Sequence, residues 1–258
     1  TISGLHIDRT DLHDVGLFAV IGTGGEVRDL QLVGLDVVGQ GYTGGLAGHN
    51  RGVISSVHSA GAVLGEVLPG AERTLYTGGL LGYNSGTVQD SSSEATVSAA
   101  MPEPVESPTA RVGGLVGGNH GLGAISRSFT RSPGVYSPAD ISGSNVGGLV
   151  ASNWGTIEDS YSLSSVEADS GNAGGLVGNN LANQGAGGLI LRSFTGPAAS
   201  VTGTWSVGGL AGISFGHIED SYSLADPVQG TGSVGGLVGS LRKSPQPGYE
   251  HLGLVIES

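Results

Sequence analysis

The string Gly212-Ile213-Ser214-Phe215-Gly216 has the G-x-S-x-G spacing that, on a strand-to-helix elbow, raises a serine oxygen as a nucleophile. Here no helical pattern follows it, and a glycine-rich chain is expected to make such a match by chance, so no nucleophile is assigned. Gly230, Gly232 and Gly235 meet the G-x-G-x-x-G spacing of a dinucleotide loop by the same accident of composition. The single lysine, Lys243, lacks the preceding glycine of a P-loop. The histidines His6, His13, His49, His58, His120, His217 and His251 form neither H-E-x-x-H nor any i, i+4 pair, so they read as surface or packing residues and not as a zinc site. Glu158-Asp159 and Glu219-Asp220 recur at equivalent places, with Glu167 and Asp169 further on. Calcium needs six to eight converging oxygens, and the calcium-binding nonapeptide is absent. These acids are therefore read as solvated carboxylates, with structural calcium the lesser alternative and no cofactor expected. Arg127, Arg131 and Arg192 fall near one aligned face, as in a polysaccharide lyase, but the spacing puts no Asp cluster beside them. No enzyme is expected.

The elements that carry these residues follow from the composition. Fifty of 258 residues are Gly, without a G-X-Y period, which excludes collagen. Ten Lys and Arg against 22 Asp and Glu leave a net charge of −12, which argues against nucleic acid and anionic membranes as partners. No run approaches the ~18 apolar residues of a membrane span, and the N-terminus carries neither Met nor a basic-then-apolar signal. The chain thus reads as a mature protein or a piece of a longer one, with no membrane insertion in this segment. With no Cys, disulfides and thiol chemistry are out.

A Gly-Gly-Leu tripeptide recurs at Leu46, Leu80, Leu115, Leu149, Leu176, Leu210 and Leu237, with a degenerate copy at Leu17. The steps are 29, 34, 35, 34, 27, 34 and 27 residues, so the minimal unit is 27 residues, lengthened by insertions. In Val146–Ala173 three short runs, VGGLV, TIEDSYS and SSVEA, are separated by turn residues. This predicts an all-β fold, a parallel β-helix (β-solenoid) of about eight rungs stacked ~4.8 Å apart, with a right-handed coil assumed from precedent. The chain is read as one domain, 1–258: a lead-in and degenerate first rung (1–43), the repeated rungs (44–240) and a partial rung or cap (241–258).

Gly52, Gly86, Gly155 and Gly216 stand six residues after their Leu and are expected at φ > 0 or in a crowded corner. Asn50, Asn84, Asn119, Asn153 and Asn180 stand four after it, replaced by Ser214 in the seventh unit, and are read as a stacked amide ladder. The Leu column, the Ile54, Val88, Ile125, Ile157 and Ile218 column, and Val63, Val97 and Val166 are placed inside. Phe129, Tyr161, Phe194 and Tyr222 form an aromatic column, read as inward or sideways packing in preference to a sugar-binding strip.

Insertions locate the variable surface. Residues 64–77 and 98–112 lengthen one corner of consecutive rungs, and 181–188 lengthen another. The paired loops are expected to touch and to carry a binding patch of Glu66, Glu72, Arg73, Glu103, Glu106 and Arg111.

The segments VGGLVASNWGTIEDSYS, VGGLAGISFGHIEDSYS and TGGLAGHNRGVISS resemble the GLUG motif of large bacterial surface and secreted proteins. The resemblance covers roughly residues 1–240, and the lead-in GLFAVIGTGGEVRDLQLVGLDVVG is similar to segments preceding GLUG arrays. Similar arrays occur in filamentous-haemagglutinin-like exoproteins and adhesins and in the non-catalytic part of IgA-cleaving surface peptidases. The resemblance implies an extracellular or cell-surface bacterial β-solenoid. The expected function is non-enzymatic adhesion or surface display, with a host or matrix glycan or protein as partner. The alternative is a structural spacer or a filament subunit that self-associates through its solenoid ends; a polysaccharide-active enzyme ranks below both.

Overall fold

The computed structural model describes residues 1–66, 74–101, 108–138, 141, 144–183 and 186–242. Among them there is no helix. The chain winds through three sheets in turn, and equivalent segments of successive turns pair in parallel and in register. One turn shows the plan. Ser144–Gly147 lies in a leading sheet before the Gly-Gly-Leu, and Val150–Asn153 in a trailing sheet after it. Thr156–Glu158, Tyr161–Ser162 and Val166–Ala168 then run through a long sheet. The leading and trailing sheets have eight strands each and the long sheet 19. Val150 pairs with Val116 and Val177, and Ile157 with Ile125 and Ile190, so each repeat position becomes a column along the rod.

V-G-G-L-V is therefore not one strand. The chain bends at Gly148-Leu149, between the leading and trailing strands, and turns the leucine inward. Leu46, Leu80, Leu115, Leu149, Leu176 and Leu210 are fully buried, as are Ile54, Val88, Ile125, Ile157 and Ile190. Ile190 belongs to the isoleucine column although the insertion before it hides the spacing. A β-branched side chain suits a narrow core whose layers repeat at strand spacing.

The four corner glycines do not have positive φ. Crowding explains them: a Cβ on Gly155 would lie 2.2 Å from the Gly123 carbonyl oxygen and 2.3 Å from that of His120. The left-handed corner lies elsewhere, before the Ser that precedes the aromatic column, and non-glycine residues occupy it. Asp90, Arg127, Asp159, Arg192 and Asp220 have φ between 43° and 51° there. A serine after each relieves that corner. Ser160 Oγ donates to the Glu158 carbonyl (2.7 Å) and accepts the Ser128 N–H (3.2 Å), and Ser91, Ser128, Ser193 and Ser221 repeat the pattern. Both backbone groups freed by the turn thus find partners.

The lead-in forms the first layer, with Ile2–Ser3 and His6–Arg9 paired to Leu32–Val33 and Asp36–Gly39. The insertions are shorter excursions than their lengths imply. Val53–Glu66 and Thr74–Gly78 are strands, as are Thr96–Ala100 and Thr109–Gly113, so much of 64–77 and 98–112 extends the sheets. The insertion at 181–188 makes an antiparallel pair, Ala182–Asn183 with Ala186–Gly187.

Candidate binding surfaces

At the corner after the trailing strand, the asparagine side chains are buried and join end to end. Asn50 Nδ2 donates to Asn84 Oδ1 (2.8 Å), and the same bond continues through Asn119, Asn153 and Asn180 at 2.9 Å each. Asn180 then donates to Ser214 Oγ (3.2 Å). Ser214, the serine of the G-x-S-x-G string, is thus a buried end of this column and donates to the Gly216 carbonyl. It carries none of the exposure a nucleophile needs.

Residues named for the corner patch separate. Glu66 ends its strand and pairs with Ala100. Glu72, Arg73, Glu103 and Glu106 lie outside the described residues. Arg111 is not on the corner: it sits in the leading sheet between Tyr76 and Asn145. Its guanidinium lies 4.9 Å from the Tyr76 ring centroid and 5.8 Å from that of Trp154, and its Nε donates to Ser152 Oγ at 3.1 Å.

Arg111 borders an aromatic cluster for which no repeated spacing in the sequence is a sign. Outward side chains of the leading and trailing sheets face each other across the Gly-Gly-Leu bend. Tyr42 stacks on Tyr83 (4.8 Å, 11°), and Tyr76 meets Tyr83 edge-on at 5.2 Å. His13, His49 and His120 pack around these rings. Gly118 belongs here too, because a Cβ would come within 2.6 Å of Tyr76 and 2.8 Å of Tyr83. Burial first, then Tyr76 and Tyr42, pushes the Tyr83 phenol up to about 12. Burial, followed by the Arg51 charge, holds the His49 imidazole below its ordinary value. Both shifts favour the uncharged forms of the Tyr83 phenol and the His49 imidazole.

Phe129, Tyr161, Phe194 and Tyr222 face outward and stack sideways, centroids 5.0 Å apart and planes within 9°. Their inner neighbours Thr130, Ser162 and Thr195 are buried. Ring faces cover one another, leaving mainly edges to solvent. Arg127 and Arg192, expected to lack acidic company, have it. Arg127 grips Asp90 with two bonds of 2.7 and 2.8 Å, while Arg192 holds Asp159 at 2.8 Å and also Glu158. Glu158 and Asp159 are therefore paired rather than merely solvated. Hydrogen bonds from the arginines hold Asp90 and Asp159 below the usual carboxylate range.

Two open depressions of about 230 and 350 Å³ lie on the long sheet, one beside Tyr136, Glu167 and Thr202 and the other beside Asp169, Thr202 and Gln229. Tyr136 donates to Asp169 across one rung (2.9 Å). Among the described residues no three His, Asp or Glu side chains converge as a metal site.

No protein-family model and no solved structure matches the chain. Two curated proteins are similar over part of it. Halomucin of Haloquadratum walsbyi is 39% identical over 66 residues, 26% of this chain and 1% of halomucin. A provisionally named Gly-rich membrane protein of Evansella cellulosilytica is 46% identical over 59 residues, 22% of this chain and 7% of that protein. The chain thus spans a small fraction of either relative.

Proposed function

We propose that this solenoid is a non-enzymatic adhesion or surface-display module working outside the cell, with the corner excursions of 64–77 and 98–112 as its contact surface. The observation that carries the reading is the pairing of the two stems. Gly65 and Glu66 pair with Ala99 and Ala100, Thr74 pairs with Thr109, and the two threonine hydroxyls bond at 2.6 Å. A stacked rod that anchors two successive insertions at one corner presents them on a rigid base, which lowers the ordering cost of binding. The partial likeness to halomucin and to a protein named for a membrane supports placement at a cell surface. The test is binding of the purified chain to an array of glycans and matrix proteins, beside a variant in which 67–73 and 102–107 are shortened. Binding lost in the variant is the expected result. Binding by neither protein overturns the reading in favour of a structural spacer.

A further inference from the structure

The asparagine, serine and arginine columns of this rod bond within it: amide to amide, hydroxyl to backbone, guanidinium to carboxylate. The outer face of the long sheet near its last strand segments departs from that economy. Gly134, Ser165 and Ser200 stand on successive rungs just before the inward valines Val135, Val166 and Val201. Tyr136, Glu167, Thr202 and Gln229 stand on successive rungs just after the valines, in register. Glu167, Thr202 and Gln229 are exposed, and the others are half-buried. Among the described residues, the side chains of Ser165, Glu167, Ser200, Thr202 and Gln229 have no hydrogen-bond or ionic partner.

These free groups line the two open depressions of about 230 and 350 Å³, which share Thr202 and so form one trough. The trough exists because the residues before the valines are small: a Cβ on Gly134 would meet nothing within 4 Å. Tyr136 forms part of its wall and is tied by its hydroxyl to Asp169 at 2.9 Å. No Arg, Lys or His lines either depression, whereas Glu167 and Asp169 do, so a polyanion is repelled. A basic ligand would be drawn to the whole rod, which carries a net charge of −12, and would leave the hydroxyls and the Gln229 amide without partners. Sugar hydroxyls donate to a carboxylate and accept from a hydroxyl or an amide, and the C–H face of a sugar ring packs on an aromatic ring. The lining repeats these groups at the rung spacing of ~4.8 Å, which suits a ligand that also repeats.

We propose that this trough binds a neutral glycan chain, with sugar hydroxyls bonded to Glu167, Thr202 and Gln229 and a sugar ring against Tyr136. The site lies on rungs beyond those that carry the corner excursions and includes none of their residues, so it does not rest on the contact surface proposed above.

A linear β-glucan, a mannan and a xylan serve as neutral probes, polygalacturonate as the acidic one and oligolysine as the basic one, in calorimetric titrations of the 258-residue chain and in retention on the immobilised polymers. At least one neutral polymer is expected to bind, with an affinity that changes little with salt because no ion pair forms. Gly134→Phe, which fills the trough, and Glu167→Ala, which removes its acceptor, are each expected to weaken that binding roughly tenfold or more, in line with lost bonds to a charged group. Melting curves of both variants check that they fold. No binding to any neutral polymer overturns the proposal, and salt-sensitive binding of oligolysine alone does so in favour of a basic peptide. Equal affinity of wild type and the folded variants overturns it too, as does a preference for polygalacturonate. Binding that survives both substitutions and disappears when 67–73 and 102–107 are shortened overturns this site while upholding the corner reading. Binding that survives shortening and is lost with Gly134→Phe and Glu167→Ala supports the trough and overturns the corner.

Discussion

Asn153 accepts a bond from Asn119, donates one to Asn180 and donates another to the Gly155 carbonyl at 3.1 Å, all without contact to water. Asn153→Leu keeps the branching and the number of side-chain heavy atoms but strands the Asn180 side-chain oxygen and removes a bond from the Asn119 amide. A buried polar atom left unpaired costs about 1–3 kcal/mol, so the variant is expected to lose stability by that order in urea unfolding. A neutral result would mean the column is held by the backbone alone. Gly155 tests the stacking distance directly. With carbonyl oxygens of the previous rung at 2.2 and 2.3 Å from its absent Cβ, Gly155→Ala must push two rungs apart and is expected to cost about 3 kcal/mol or more. Gly134 is the control, because a Cβ there meets nothing within 4 Å. Gly134→Ala is expected to be neutral or to stabilise by about 0.4–1 kcal/mol through the unfolded chain. Comparable melting temperatures for the two alanine variants would contradict the packing argument.

Each corner element has its own way of joining rungs. One uses asparagine amides and crowded glycines; the other accepts left-handed Asp and Arg residues and is tied by serine hydroxyls. At that second corner acid and base alternate along the axis, Asp90, Arg127, Asp159, Arg192, Asp220, so cross-rung neighbours attract where a single-sign column would repel. The pairs are roughly half exposed, so their contribution is small and screened by salt. Its pH dependence has a definite sign. The folded-state pKa values of Asp90 and Asp159 lie below the unfolded value of about 3.9 because of the arginine bonds. The stabilisation is therefore present above that pH and is lost as pH falls through the lowered folded values. Replacing both Arg127 and Arg192 by Gln is expected to lower the melting temperature at neutral pH and low salt. The difference from wild type should shrink in strong acid and at high salt; a difference independent of both would show that the arginines act by packing.

Among the described residues every interior turn bonds to a turn on each side. Such a rod behaves as a line of coupled neighbours. Its two outermost layers bury less: Phe18 is 41% exposed in the first, and Leu224 and Val234 are 52% and 46% exposed in the last. Hydrogen exchange is expected to be slowest in 112–119 and 146–153 and progressively faster towards 2–9 and 228–241. Uniform protection across all eight layers would show that the rod unfolds as one cooperative unit.

How far these features could be read in advance depends on whether they repeat. The Gly-Gly-Leu period marks the rungs, the leucine column and the place of the asparagines, because in a stacked coil every turn imposes the same local demand on the same position. Ile190 was hidden only by an insertion that broke the count. The serine column repeats but is not distinctive, because serine in a glycine-rich chain resembles ordinary turn composition. The alternating ion pairs leave no repeated residue type to follow, because Arg127 and Asp90 are 37 residues apart and the column alternates acid with base. The Tyr42, Tyr76, Tyr83 and Arg111 cluster does not repeat at all; it exists because the chain bends at Gly-Gly-Leu and brings the outer side chains of two sheets together. The amino-acid sequence alone determined the all-β class and the stacking unit, since these follow from local backbone preferences repeated along the chain. Only the tertiary structure decided which side chains meet across the bend, because the angle at a bend, unlike a period, leaves no mark in the order of residues.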